Sequence, residues 1–344
     1  MPAGVHATPS WRTRPAPFYL GMGILALWSC LSIRVGHAAD APALNPSSVL
    51  LKVQAAARQL DYAGVLTYQQ GASMQSARLT HVVDGTGERE RLEILDGMPR
   101  EYLRQNDSVQ CLIPEKKTVI IEPSRADRFP GLLLGDAKKL DDHYDLRQHR
   151  GSNRIAGHMC TVYDIVPKDA YRYGYKLCIE PGTNLLLKTQ TLNRRGEVVD
   201  QVAFSMLKLR DQVHVDQLAS PWNTQGWKVV TSSTEPVDVA KLGWRVSAPP
   251  GFELLTQVSR PLKSGKSVKQ LVYSDGLAAV SVFIETAAGR DEQAPHKGLA
   301  HNGAMNIFGS RIGDYWVTAI GEMPGQALRE LVEHTEYVPL AAKQ

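Results

Sequence analysis

Asp141-Asp142-His143-Tyr144-Asp145 is the densest group of acid–base and metal-ligating side chains in this 344-residue sequence. Three carboxylates and an imidazole carry the donor atoms for a divalent cation. Consecutive residues cannot all point one way, however, so a solvated loop or helix start is the plainer reading. Gly71-Ala72-Ser73 begins a Gly-x-Ser-x-Gly nucleophile elbow, but Gln75 replaces its last glycine and the stretch reads as a hairpin turn. The histidines beyond residue 40 (His81, His143, His149, His158, His214, His296, His301 and His334) are scattered, with no His-Glu-x-x-His motif and no Walker loop. Tyr171-Arg172-Tyr173-Gly174-Tyr175 is more unusual. In a strand its three tyrosines share one face while Arg172 and Lys176 share the other, a ladder that either packs a core or lines a surface for lipid or a partner. These residues supply no catalytic set, no metal site and no cofactor motif, so an enzyme is the least supported class.

Three cysteines follow residue 40: Cys111, Cys160 and Cys178. Cys160 and Cys178 lie on two strand-like runs, and a hairpin centred near Asp169 would set them opposite each other. They are either a disulfide or two separately buried thiols. No Cys-x-x-Cys motif is present, which argues against redox catalysis.

Where these residues work depends on the N-terminus. Arg12 and Arg14 precede an apolar run from Phe18 to Ile33, and Gly36, Ala38 and Ala39 follow. That order is a secretory signal peptide, residues 1–39, cut after Ala38 or Ala39. The run is about 16 residues, short of the roughly 20 that cross a bilayer, so a retained anchor is the weaker alternative. Leu27-Trp28-Ser29-Cys30 has a bulky tryptophan where a lipobox needs a small residue. Gly21-Met22-Gly23-Ile24-Leu25-Ala26 mimics a dinucleotide fingerprint, but it sits inside the leader with no strand before it. The leader holds three of the 39 basic residues and none of the 35 acidic ones, which leaves the mature chain nearly neutral. Nucleic acid, whose non-specific binding needs positive charge, is therefore not an expected partner.

About 305 mature residues suit two domains. Leu50, Val53, Ala57 and Leu60 recur at helical spacing behind the cap-forming Asn45. Strand-like runs with tight turns follow from Tyr62 to Leu209, interrupted over Ser124 to His149 by an apolar stretch, Leu132-Leu133-Leu134 and Leu140, that reads as helical. Residues 40–210 thus predict a large curved antiparallel sheet with a few helices. Residues 211–236 read as a linker, and 237–344 as a smaller α+β domain. In that domain strands are expected over 244–246, 269–274, 279–285 and 316–321, and helices over 297–308 and 325–333. Trp222 and Trp227 fall in the linker, where each either packs against a neighbouring domain or anchors a partner.

Four stretches carry a resemblance over essentially the whole mature chain. They are Tyr62-Ala63-Gly64-Val65-Leu66-Thr67-Tyr68, then Pro167-Lys168-Asp169 with Tyr171-Arg172-Tyr173-Gly174-Tyr175, then Ser274-Asp275-Gly276-Leu277-Ala278 running on to Glu285, and Val317-Thr318-Ala319-Ile320-Gly321-Glu322-Met323-Pro324. In this order they resemble the MucB/RseB family of periplasmic regulators of the extracytoplasmic stress sigma factor. The resemblance implies a fold of the α+β class. Its large N-terminal domain is a half-open antiparallel β-barrel with helices, like LolA and LolB, and its C-terminal domain is smaller.

The resemblance also implies binding rather than catalysis. Members hold the periplasmic part of a membrane anti-sigma protein (RseA or MucA) and shield it from the first regulatory protease, until mislocalised lipoprotein or lipopolysaccharide releases it. On this pattern Leu132, Leu133 and Leu134 with the barrel face accept acyl chains. Trp222, Trp227 and the C-terminal domain grip the partner. A homo-oligomer stays open. Cys178 stands where the family pattern has a large apolar residue, a departure that fits an added disulfide to Cys160. The rival readings are a LolA-like lipoprotein carrier, which leaves the second domain unexplained, and an exported hydrolase, for which the residues supply no machinery.

Overall fold

The computed structural model describes residues 44–123, 129–134, 137–231, 234–262, 266–287 and 298–339; the leader read at 1–39 lies outside them. Helix α1 (Pro46–Gln59) starts where the sequence calls for it. Asn45 accepts the Ser48 amide, the Ser48 hydroxyl returns to the Asn45 backbone, and Pro46 fills the first turn. Its buried face is Val49, Leu50, Val53, Ala56 and Ala57.

Behind α1 come β1 (Tyr62–Gln70), β2 (Ser73–Asp84), β3 (Gly87–Ile94), β4 (Arg100–Gln105), β5 (Ser108–Ile113) and β6 (Thr118–Pro123). A short helix α2 (Leu140–His143) leads to β7 (Tyr144–Gln148), β8 (Asn153–Ile155), β9 (His158–Pro167), β10 (Gly174–Ile179), β11 (Leu186–Leu192), β12 (Val198–Leu209) and β13 (Lys228–Thr231). They form one sheet in the order β13-β6-β5-β4-β3-β2-β1-β12-β11-β10-β9-β7, with β8 paired to β9. The two end strands do not pair with each other, so the sheet stays open.

The second sheet comprises β14 (Glu235–Pro236), β16 (Glu253–Pro261), β17 (Ser267–Ser274), β18 (Ala279–Thr286), β19 (Gly298–Asn302), β20 (Met305–Ile312) and β21 (Tyr315–Gly321). Its order is β14-β16-β17-β18-β21-β20-β19. Helix α3 (Gly325–Glu333) buries Ala327, Leu328, Leu331 and Val332 in a core with Val280, Val282, Val317 and Ala319. The small pair β15 (Trp244–Arg245) and β22 (Glu336–Tyr337) brings Trp244, Tyr315 and Tyr337 into one aromatic cluster, ring centroids 4.8–5.0 Å apart.

Four expectations need correction. The helix expected over 297–308 is not what its described residues form: from Gly298 they make the β19–β20 hairpin, whose two-residue turn is Gly303-Ala304 with Gly303 at φ +60°. Leu132 to Leu134 are non-helical, Leu133 and Leu132 reaching the core from an irregular segment, and among the described residues of the stretch helix forms only over a 3-10 turn at Ala137–Lys139 and at Leu140–His143. The tyrosine ladder is a strand only from Gly174; Asp169 accepts the Tyr171 amide and holds the preceding residues in a turn. The stretch 211–236 is not a bare tether. β13 adds in parallel to β6, and Ser220 donates to buried Glu101.

Gly64 shows how tightly the first sheet is built. A β-bulge between Val65 and Leu66 brings the Met206 carbonyl to 2.3 Å from where a Cβ on Gly64 would sit, and the Phe204 ring lies over the same spot. A Gly64→Ala substitution should lower stability by about 1–3 kcal/mol, read as an earlier urea midpoint, because backbone cannot yield.

Glu88 meets buried His81 at 3.1 Å and also Arg104 and Arg58. Burial alone would raise its pKa, but the His81 hydrogen bond and the charges of Arg104, His81 and Arg58 prevail and lower it. A depressed carboxylate contributes stability that is present above its unfolded pKa, 4.5, and lost as pH falls through the lower folded value. Glu88→Gln should therefore destabilise at pH 7, and the gap to wild type should close in unfolding curves taken progressively below pH 4.5.

Candidate binding faces and the interdomain pin

Register defines the inner face of the first sheet. Across the strands, Leu207, Gly64, Leu79, Leu92, Tyr102, Cys111, Ile120 and Val230 are successive Cα partners. Direct partners share a face, so this is one apolar row. Tyr62 lies on the same face, two residues before Gly64, and its hydroxyl donates to the Ala57 carbonyl of α1. The row is therefore covered at the α1 end and progressively open towards β13. Leu79 is buried, Leu92, Tyr102, Cys111 and Ile120 are half-buried, and Val230 is exposed. Burial raises the Cys111 thiol pKa, with Tyr102 and Arg100 opposing, so it sits there as the neutral thiol.

The leucines singled out from sequence stand beside this row rather than along it. Leu133 is buried against α1, its amide donating to Gln54 Oε1 at 3.3 Å, and Leu132 packs on the same core. Phe129, which sequence reasoning missed, lies between the two cores of the first sheet, its ring 5.3 Å from that of Phe204. An open depression of about 510 Å3 lined by Gln59, Leu60, Asp61, Val83, Arg210, Asp211 and Val213 is too polar to suit an acyl chain.

The most deeply buried contact between the two sheets is made by one turn. Between β17 and β18, Ser274 accepts the Gly276 amide, Gly276 takes φ +99°, and Asp275 Oδ1 accepts the amides of Leu277 (2.9 Å) and Ala278 (2.8 Å). Asp275 Oδ2 accepts the Tyr144 hydroxyl at 2.7 Å and lies 3.3 Å from Arg172 Nε. Both charged side chains are fully buried. Arg172 also faces Asp169 at 3.1 Å, donates to the Pro250 carbonyl and stacks over Tyr144 and Phe252 at 5.6 and 5.2 Å. Its carboxylate contacts are charge contacts rather than aligned hydrogen bonds. Burial, followed by the Asp275 charge, pushes the Tyr144 hydroxyl pKa well up and keeps it a donor.

The turn delivers Leu277, only 5% exposed, into the first sheet's core beside α1 and Leu133, while the Leu134 amide donates to the Gly276 carbonyl at 2.8 Å. A second contact comes from the β19–β20 hairpin tip. Asn306 donates to the Tyr173 hydroxyl at 2.9 Å, and Gly303 lies so close to Asp200 that no Cβ would fit.

The other expected site residues scatter. Asp141 takes the Ser47 amide and hydroxyl, Tyr144 goes to Asp275 and Asp145 to Lys168; among the described residues no cluster could hold a metal ion. Trp222 is 40% exposed and Trp227 half-buried, both in the stretch leading to β13. Cys160 and Cys178 are joined, Cα atoms 5.4 Å apart, but diagonally: the hairpin is centred one residue later than Asp169, and Cys178 stands opposite Val162.

An open antiparallel sheet with an apolar inner row, pinned to a second sheet through a buried carboxylate, defines a two-module binding scaffold. Sequence profiles agree with this division: one for the MucB/RseB N-terminal domain matches residues 45–222 and one for the C-terminal domain matches 238–336. The chain belongs to the MucB/RseB family. It is 30% identical over 313 residues to the sigma factor AlgU regulatory protein MucB of Pseudomonas aeruginosa, covering 88% of this chain and 92% of that one. It is 26% identical to the sigma-E factor regulatory protein RseB of Haemophilus influenzae, covering 89% and 96%. The fold matches that of a Pseudomonas aeruginosa MucA/MucB complex structure with a TM-score of 0.67 at 29% identity, covering 86% of this chain and 99% of that one. A structure of MucB in complex with MucA(peri) gives 0.66 at 27% identity, with 86% and 99% covered.

Removing one member of the buried pair leaves the other uncompensated. Arg172→Ala should therefore cost about 3–5 kcal/mol in equilibrium urea unfolding. Arg172→Lys should recover only part of that, because an ammonium cannot span Asp275, Asp169 and the Pro250 carbonyl together.

Proposed function

We propose that this protein works in the periplasm, binding the periplasmic part of a membrane anti-sigma factor of the RseA or MucA type. Bound there, it shields that segment from regulated proteolysis and so restrains the envelope-stress response. The observation that carries this reading is the likeness across both sheets to MucB in its MucA complexes. The role is binding, not catalysis. We divide the chain into a leader at 1–39, a lipid-sensing domain at 40–210 and a partner-binding domain at 237–344, with 211–236 between them. Trp222 and Trp227 of that stretch contribute to the partner grip, and the exposure of Trp222 supports this.

The lipid reading rests on the apolar row. Its Tyr102–Val230 end is the uncovered part of the inner face, and each methylene of a lipoprotein or lipopolysaccharide acyl chain buried there would contribute about 0.8 kcal/mol. A LolA-like carrier would use the same row. The second sheet, pinned through Asp275, favours the regulator, since a simple carrier has no use for it.

Calorimetric titration of residues 40–344 with the periplasmic segment of the cognate anti-sigma protein should give stoichiometric binding; no binding by folded protein would turn the argument towards the carrier. Trp227→Ala should weaken the partner by about 2 kcal/mol, roughly thirtyfold. Ile120→Asp should instead abolish uptake of a fluorescent fatty acid and leave partner affinity within about twofold.

A further inference from the structure

Phe129 to Leu134 touch the inner face, the helix and the second sheet within six residues. Phe129 packs its ring on Phe204, which lies over Gly64, one of the residues of the apolar row. Leu133 is fixed under α1 through Gln54. Leu134 donates its amide to Gly276, the residue before Leu277. Leu277 in turn sits in the core that Leu133 helps to build. Leu133 is buried and Phe129 half-buried, and Phe129 stands at the covered end of the row.

An acyl chain lying along Tyr102 and Leu92 would point its tail at buried Leu79 and, beyond it, at Phe204 and the Phe129 ring. We propose that this segment is the coupling element between the two faces. The chain displaces Phe129, the displacement breaks the Leu134–Gly276 bond, and Leu277 is withdrawn from the first core. This deepens the functional reading above and rests on it.

Two arrangements of packed side chains make such a device bistable, because the Leu277 site is either filled or open. Anti-sigma binding across both domains selects the pinned form and lipid selects the unpinned one. Linkage then requires each ligand to weaken the other by the same factor.

The first test needs no mutation. Hydrogen exchange of residues 40–344 is measured with and without saturating cis-parinaric acid, a fluorescent 18-carbon fatty acid. Exchange of the Leu134 amide should accelerate tenfold or more, while β17 and β18 amides stay protected. Leu277→Ala, which favours the unpinned form, should tighten cis-parinaric acid at least tenfold and weaken the anti-sigma segment by a similar factor. Opposite shifts of this kind are not what general damage produces. Unchanged Leu134 exchange in protein that demonstrably binds the probe, or a Leu277→Ala variant that loses affinity for both ligands, would overturn the coupling and leave the regulator reading intact. Wild-type protein that binds neither ligand would remove the regulator reading and the coupling with it.

Discussion

A carboxylate with no access to water holds the two halves of this protein in register. Burying a carboxylate is costly unless its lone pairs are engaged and a compensating group stands beside it; Asp275 accepts two amides of its own turn and the Tyr144 hydroxyl, and the Arg172 guanidinium lies next to it. The amides come from the second sheet, the hydroxyl and guanidinium from the first. Neither half can satisfy the charge alone, so the turn adopts its shape and the sheets adopt their mutual position for the same reason. Leu277 follows from this, since a turn shaped by Asp275 aims the next apolar side chain at α1.

The inner face of the first sheet obeys a different constraint. An open sheet must cover its apolar side, and here α1 with the Phe129–Leu134 segment covers one end only. The other end, from Tyr102 to Val230, is left half-buried, which is the physical condition for accepting an apolar ligand. The strand that closes this end of the sheet, β13, comes from the stretch between the domains. The open end of the inner face and the interdomain connection are therefore neighbours.

Much of this was legible in the sequence where local chemistry decides. The Asn45–Ser48 capping pair and the spacing of Val49, Leu50 and Val53 mark α1, and alternation with turn formers marks most strands. The family motifs were visible as motifs, but their work was not. Tyr171 to Tyr175 looks like a strand ladder until Arg172 is seen to cross into the second domain. Ser274 to Ala278 looks like an ordinary strand turn until its charge is found buried. The β19–β20 hairpin is not legible in the sequence, because Leu299, Ala300, Ile307 and Phe308 suit a helix as well as a hairpin and pairing of β20 with β21 chooses between them.

By itself the sequence determined what local forces control: an α+β fold of the MucB/RseB kind, the principal helices and the strands that punctuation frames. The tertiary structure alone decided which polar groups leave water, because burial of Asp275 and Arg172 requires partners about a hundred residues away in the chain. It also decided that Leu133 fills a core instead of lining a ligand face, and that Phe129, unmarked by any pattern, stands where the inner face and the interdomain pin meet. Periodicity reports the face a residue shows to its own element; it carries no information about which other element will be packed against that face.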